Sequence, residues 1–467
     1  MKNDFGFWIV PFDYAQGRDC GLKKQKDLRY SNPIIILTVI LIFVSAQLFT
    51  GSAESLVFPP YKHSYGIRKA TPKHLFLFFG PRTFFNNPQG LATARLKTWD
   101  NPNKKGDDDE VVVYGVNAGR GEIIYNTSMW TLGLYGKKGS GTGEFMEPRG
   151  IAANGRGHVF VADSGNNRVV KLFNPKSSIK WVSSFDASET GLALIGPSRV
   201  GIDEQVNVYV TDPGNRRIVV FDSAGKVIRT IPSPGSGFAF ESGPTAIAVA
   251  DGSARWSYWD DEKAIFCADK YGSRVWKIGF NGKVMGQARM PQGFTASYGA
   301  IDYYHSYWVT DPEKHCVIKF DHNLLLLDTF GSQGNGDNQF IEPRGITIYK
   351  RFGQTFIAEK KGAQYFWMGT KCKSVSLTVK DSKVCELPVA LTDYSNITLY
   401  SVSGKDTITY FKRQWVKCGR SVFRFALRDN QRIRATGLTL KLEPTYSSFS
   451  YNAWYYPVKQ SAGKGSQ

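Results

Sequence analysis

His63, His74, His158, His305, His315 and His322 are the residues best suited to hold zinc or to move a proton near neutral pH. A catalytic zinc takes three protein ligands from one neighbourhood. These histidines show no common spacing, and only His305 and His315 flank one short segment, so a site built on them needs partners from elsewhere in the chain. Two glycine loops, GSGTGEF from Gly139 and GNGDNQF from Gly334, look like phosphate cradles. A phosphate loop opens a helix and carries Gly-Lys-Ser/Thr, so that backbone N–H groups and an ammonium meet the oxygens. Here each loop leads into Glu-Pro-Arg-Gly-Ile, and the expectation is a turn. No CxxC pair or Cys/His cluster offers a structural metal site. No metal, cofactor or catalytic residue is therefore assigned.

Both loops belong to a longer repeat. The segment YGKKGSGTGEFMEPRGIAANGRGHVFVADSGNNRVVKLF from Tyr135 aligns with FGSQGNGDNQFIEPRGITIYKRFGQTFIAEKKGAQYFW from Phe330. Weaker copies begin at Phe79, Gly196, Gly243 and Ser297. The turn acids Asp163, Asp212, Asp269, Asp311 and Glu359 lie 49, 57, 42 and 48 residues apart, which gives six units of about 50 residues. Each unit alternates β-branched and aromatic residues between Gly, Asn and Asp, the pattern of half-buried antiparallel strands. In DSGNNR the Asp and Asn side chains can bond the turn backbone while Gly165 takes a positive φ. Asp163 with Arg168, Asp212 with Arg217 and Asp269 with Arg274 bracket such turns as structural pairs. With 42% apolar, 21% charged and 14% aromatic residues, the chain is not disordered, a coiled coil or a polytopic membrane protein.

These boxes resemble the NHL repeat, the blade unit of six-bladed β-propellers, over residues 74–368. The resemblance implies an all-β fold. The last copy has three strands and ends at Trp367, whereas HLFLFFG, His74 to Gly80, precedes the first; this orphan strand is expected to complete the last blade and close the ring. Residues 54–73 then read as a linker. Propellers of similar blades include a gluconolactonase type, with carboxylate and amide ligands on calcium, and a peptide-amidating lyase type, with zinc held by histidines. No histidine recurs at equivalent positions in several copies, and a lactonase-like or lyase-like enzyme is the alternative to a binding module.

Residues 370–446 read as a further run of strands in a small β-sandwich. The order LTDYSNITLYSVSGK, then CGRSVFRFALRDNQRIRATGLTLKLE, resembles the Ig-like domain of hook-capping and secretion-sorting proteins. Gly437 and Leu442 fit that pattern, whereas Phe425 replaces the usual Trp and Gln431 the usual turn Gly. Residues 447–467 form a tail, disordered over its last eight or so residues. Cys372 and Cys385 flank one short segment; they could pair after export or remain separate buried thiols.

The formal charge is +19, and residues 370–467 alone hold 16 basic and 6 acidic groups. Lys412, Arg413, Lys417, Arg420, Arg424, Arg428, Arg432 and Arg434 would serve a polyanion-binding surface, or simply a solvated one. No nucleic-acid signature accompanies them. Ile34 to Phe49 form an apolar run behind Lys23, Lys24, Lys26 and Arg29, with Gly51 and Ala53 after it. This is a secretory signal, or a membrane anchor if uncleaved, and it puts the folded mass in the periplasm, at the cell surface or outside the cell.

Two sets of residues could recognise a partner. The positions after the box proline, Gln89, Arg149, Ser198, Thr245 and Arg344, with Tyr298 by looser alignment, would ring the channel mouth; Arg149 and Arg344 could instead bond loop carbonyls. From box proline to turn residue the distance is 15 in the second and third copies, but 25 in the fourth and 29 in the first. The two insertions carry Trp99 with Asp107, Asp108 and Asp109, and Trp256 and Trp259 with Asp260 and Asp261. On opposite blades they would rise across the channel from one another, or they are neutral drift. The reading is an exported, non-catalytic, monomeric propeller that binds a protein or carbohydrate, with a sandwich for attachment or secretion.

Overall fold

A computed structural model describes residues 54–59 and 68–461, apart from 82, 100–110, 127–130, 234, 270, 272–273, 381–382, 429–430, 435 and 447–452. The export segment and Asp107, Asp108 and Asp109 lie outside these residues. No helix among the described residues is long and apolar enough to cross a membrane.

Six antiparallel sheets form an all-β propeller. Its innermost strands are Pro88–Ala94, Pro148–Ala153, Val200–Ile202, Pro244–Asp251, Gly299–Ile301 and Gly345–Tyr349, and each lies beside the next round the ring, the sixth beside the first. In the third blade the two central strands, Val208–Asp212 and Arg217–Phe221, are buried along their whole length, so both faces carry apolar residues. The outer strand Lys180–Phe185 of the second blade alternates exposed and half-buried positions, because one face meets water. Adjacent blades share cores: Phe160, Ala162 and Val169 of the second pack with Val208, Val210 and Val219 of the third.

One hydrogen bond recurs in every blade. The backbone N–H two residues before the box proline, or of Thr295 in the fifth blade, which lacks that proline, donates to the turn residue between the second and third strands. The pairs are Asn86 to Asn117 (2.7 Å), Met146 to Asp163 (2.7 Å), Ile195 to Asp212 (2.8 Å), Ser242 to Asp269 (3.2 Å), Thr295 to Asp311 (2.8 Å) and Ile341 to Glu359 (2.7 Å). In the first three blades the turn glycine returns the bond, as Gly165 N–H donates to the Met146 carbonyl at 2.8 Å. Gly165 is needed for this approach and not for a positive φ, since a Cβ there would lie 2.6 Å from Met146 Cγ; the left-handed residue is Asn167, φ 51°. Arg168 and Arg217 each place Nε 2.8 Å from Asp163 and Asp212. The expected Asp269–Arg274 pair does not form. Arg274 stands 4.0 Å from Glu241, and Trp276 Nε1 donates to Asp269 at 3.4 Å instead.

The ring closes differently from the expectation. Pro72–Phe79 is a helix, α1, and the partners of the last blade's outer strand Gly362–Met368 are Leu56–Val57 and Lys69–Ala70, both antiparallel. The segment assigned to a linker therefore supplies the closing strands. Local chemistry explains the exchange: Thr71 N–H donates to His74 Nδ1 at 3.1 Å, Pro72 starts the helix and Gly80, φ 72°, ends it. Hydrophobicity without alternation could not outweigh those start and stop signals.

Residues 372–461 build two four-stranded sheets round one core that includes Leu377, Leu387, Ile397, Leu399, Leu440 and Leu442. Two of these strands, Trp454–Pro457 and Lys459–Ser461, come from the segment expected as a tail. Its aromatic residues explain this, as the hydroxyl oxygen of the half-buried Tyr456 accepts the Cys372 N–H at 3.0 Å. Cys372 lies opposite Leu391 and Cys385 opposite Val379, at far ends of one strand pair, so both remain free buried thiols. Gly437, φ 69°, fits because any Cβ would strike the Val402 carbonyl at 2.2 Å.

The sandwich sits on the propeller rather than beside it. Lys319 of the fifth blade, 1% exposed, places Nζ 2.6 Å from Asp393 and 3.8 Å from Asp302, over the Trp308 ring at 4.5 Å. Burial opposes its charge, but Asp393 and then Asp302 outweigh burial and hold its pKa above the ordinary lysine value. Tyr304 stacks on Tyr394 at 3.9 Å and donates to Thr445 at 2.8 Å.

Two substitutions test these supports. Asp212→Ala strands the Arg217 guanidinium and the Ile195 N–H and should cost about 3–5 kcal/mol in chemical denaturation. Asp212→Asn keeps an acceptor, as Asn117 does in the first blade, and should cost less. Asp393→Ala leaves Lys319 buried beside Asp302 alone, and a loss of about 3–5 kcal/mol is expected. Removing residues 370–467 should likewise destabilise the propeller; an unchanged melting temperature would refute the shared support.

Candidate functional site at the channel mouth

The residue before the box proline adopts a left-handed backbone in five blades. Gly196 and Gly243 do so freely, whereas Asn87 (φ 54°), Glu147 (φ 47°) and Glu342 (φ 51°) do so at a cost of about 1 kcal/mol or more each. That conformation turns the two glutamates back toward the arginine two positions on. Glu342 pairs with Arg344 and, at 2.6 Å, with Lys360, while Glu147 stands 3.9 Å from Arg149. Hydrogen bonds from Lys360 and then Arg344 hold Glu342 below the usual carboxylate range.

Glu342, Arg344 and Lys360 line an open cleft of about 700 Å³ between the fifth and sixth blades, with His315, Glu313 and Gln333 completing its polar wall; Glu147 and Arg149 are not part of it. Glu342 N–H donates to His315 Nδ1 at 3.0 Å, so a neutral ring carries its proton on Nε2. The site thus combines guanidinium, ammonium and imidazole donors with two carboxylates.

The glycine loops beside it are turns filled by their own side chains. Glu144 accepts from Gly141 N–H at 2.9 Å, and Gln339 accepts from Gly336 N–H at 2.8 Å. Such N–H groups are no longer available to a phosphate.

The other mouth residues divide by depth. Gln89 donates to Asn87 at 2.9 Å, and Arg344 donates to the same amide oxygen. Arg149 and Arg344 therefore meet carboxylate and amide oxygens rather than loop carbonyls. Ser198 and Thr245 are buried; Ser198 bonds Thr211 at 2.9 Å and Thr245 donates to Ser297 at 3.1 Å.

Tyr298 occupies the next position inward, where the other inner strands carry Gly90, Gly150, Arg199, Ala246 and Gly345. Its hydroxyl reaches the opposite side, donating to the Ile151 carbonyl at 2.9 Å and accepting from Ile151 N–H at 3.2 Å. Arg199 lies over the Tyr298 ring at 4.9 Å and bonds the Ser297 carbonyl at 2.7 Å. Burial depresses the Arg199 pKa to about 10. The channel is closed by this pair, and the glycines opposite make the room: a Cβ on Gly90 would lie 2.8 Å from the Tyr298 oxygen. The visible signal was Arg199 standing where two strong copies have glycine.

The inserted loops turn to different neighbours. Trp99 donates to the Lys176 carbonyl at 2.7 Å, toward the second blade. Trp259 stacks on His322 at 4.1 Å and donates to the Tyr304 carbonyl at 3.0 Å, toward the fifth. Trp256 lies between Arg255 and Arg351, each 5.0 Å from its ring, and Asp260 and Asp261 are exposed. Of the C-terminal basic residues, Arg420 and Arg424 share the exposed face of one strand, with Arg424 3.0 Å from Glu386.

No group of three His, Cys, Asp or Glu side chains converges on a metal position among the described residues. The NHL repeat family matches residues 145–172. No curated protein matches the chain. Among solved structures, a streptogramin B lyase is 14% identical, with a TM-score of 0.41 over 61% of this chain and 96% of its own. A gluconolactonase from Xanthomonas campestris is 9% identical, TM-score 0.44, over 68% and 96%. A calcium-binding regucalcin from Agrobacterium tumefaciens is 9% identical, TM-score 0.42, over 62% and 92%. The chain is an all-β propeller that carries an NHL repeat.

Proposed function

We propose that this protein is an exported binding module whose glycine-loop face recognises a polar ligand, a glycan or a protein segment bearing carboxylates and hydroxyls. The observation that carries this reading is the pair of left-handed glutamates, Glu147 and Glu342, at positions where two other blades have glycine. Strain of this kind persists where surrounding contacts hold a side chain in place, and it concentrates at binding sites. Glu342 is so held by Arg344 and Lys360 at the cleft edge. The sandwich leaves this face free, because Lys319, Tyr304 and Leu327 meet it from the opposite ends of the strands. Its role is attachment or secretion, in keeping with its resemblance to the Ig-like sorting domains. Export rests on the basic flank and apolar run ending at Phe49.

Two measurements test the reading. The double variant Arg344→Ala with Lys360→Ala should lose at least about tenfold in retention on a panel of acidic glycans and acidic peptides. Its melting temperature should stay within a few degrees, as Lys360 is about half exposed and Arg344, 21% exposed, pairs at the cleft edge rather than in the core. Unchanged retention, or no retention by the wild type, would remove the assignment. Protease added to intact spheroplasts should digest the folded mass; protection equal to that of a cytoplasmic control would refute export.

A further inference from the structure

The insertion in the fourth blade and one substitution in the fifth create an arrangement that no other blade has among the described residues. In the turn between the first and second strands of the third blade, Val206 is buried with φ 66°; the same turn of the fifth blade has His305, fully buried with φ 56°. An imidazole in place of an apolar side chain is costly unless both ring nitrogens are bonded. Both are, and both partners come from the insertion. His305 Nε2 lies 2.7 Å from Ser257 Oγ, and His305 Nδ1 lies 2.5 Å from Glu262 Oε2.

The direction of these bonds follows from the charges. Burial opposes ionisation of Glu262, but His305, then His322 at 3.9 Å and the paired Lys277 outweigh it and hold the carboxyl well below its usual range. An ionised carboxylate only accepts, so Nδ1 carries the proton that faces it. Burial in turn favours the neutral ring. Nε2 is then a lone pair, and the Ser257 hydroxyl is the donor that fills it. Ser257 is half-buried, and its Oγ also lies 3.1 Å from the Trp259 carbonyl, farther than from Nε2, so the shorter bond takes the proton. Beside it stand the 41% exposed Tyr258 ring and Trp256 with its two guanidiniums.

We propose that Ser257, His305 and Glu262 are a nucleophile, base and orienting acid that take the acyl group from short-chain esters of aromatic alcohols. Ser257 Oγ bonds to the carbonyl carbon as its proton passes to His305 Nε2. The bond from carbon to the aryl oxygen then breaks, and that proton leaves with the alcohol. Water next attacks the acyl-serine, giving a proton to Nε2; the carboxylic acid departs and the proton returns to Oγ. Glu262 stays ionised throughout and offsets the imidazolium charge. The site lies on the face opposite the glycine loops and does not depend on ligand binding there.

The full-length chain treated with a fluorophosphonate probe, then digested and mapped, should carry the adduct on Ser257. His305→Asn should slow that labelling at least about a hundredfold, and Ser257→Ala should abolish both the adduct and the release of p-nitrophenol from p-nitrophenyl acetate. Absence of an adduct on Ser257, an adduct confined to other serines, or labelling of Ser257 at the same rate in His305→Asn would overturn the assignment. If His305→Asn loses its cooperative unfolding transition, the mapped wild-type adduct and the Ser257→Ala turnover decide the question.

Discussion

The propeller depends on a bond between a backbone N–H and a side-chain oxygen, made once per blade, two to five residues before the innermost strand begins. The loop leading into that strand is otherwise irregular, and a buried N–H without a partner costs about 1–3 kcal/mol. The turn acid supplies the partner and so fixes where the inner strand starts relative to the second and third. Asn117 in the first blade and Glu359 in the sixth show that the requirement is an acceptor at a set distance, not a particular residue. The arginines that follow Asp163 and Asp212 are a further layer, which the fourth and fifth blades do without.

Crowding at the axis is the second constraint. Six inner strands converge there, and a Cβ on Gly299 or Gly345 would lie 2.0 or 2.1 Å from a neighbouring blade's carbonyl oxygen. Glycine answers that crowding in four blades. Arg199 and Tyr298 use the space so left and tie the third and fifth blades to each other and to the second. Repetition and its exceptions are thus complementary: the large residues fit because their counterparts are absent.

The repeat, its blade number and the sandwich strands were legible because alternation and turn chemistry are local. Closure was not. The apolar stretch from His74 to Phe79 suits a strand by composition, and only the Thr71-Pro72 start and the Gly80 stop tell otherwise, while Leu56–Val57 is too short to carry a pattern. The Lys319–Asp393 pair was equally hidden, since nothing in either segment tells that a lysine in an inward strand will meet a carboxylate 74 residues later. At the mouth the box positions were found, but their burial was not, because depth depends on the neighbouring blade. The sequence shows that a site on His305 needs partners from another blade, but not that the fourth-blade insertion supplies them as Ser257 and Glu262, because that depends on how two blades sit side by side.

The way the ring is closed also decides how it bears mechanical load. The chain enters at Glu54, whose carboxylate meets Lys371 at 3.1 Å, and Ser55 donates to Asp328 at 2.5 Å before the two-residue strand Leu56–Val57 lies along Gly362–Met368. A pull on the polypeptide at Glu54 is met first by these bonds. Leu56 is fully buried in the core it shares with Ile346, Ile357 and Phe366, so these bonds cannot part without opening the sixth blade, and clasp and blade bear tension together.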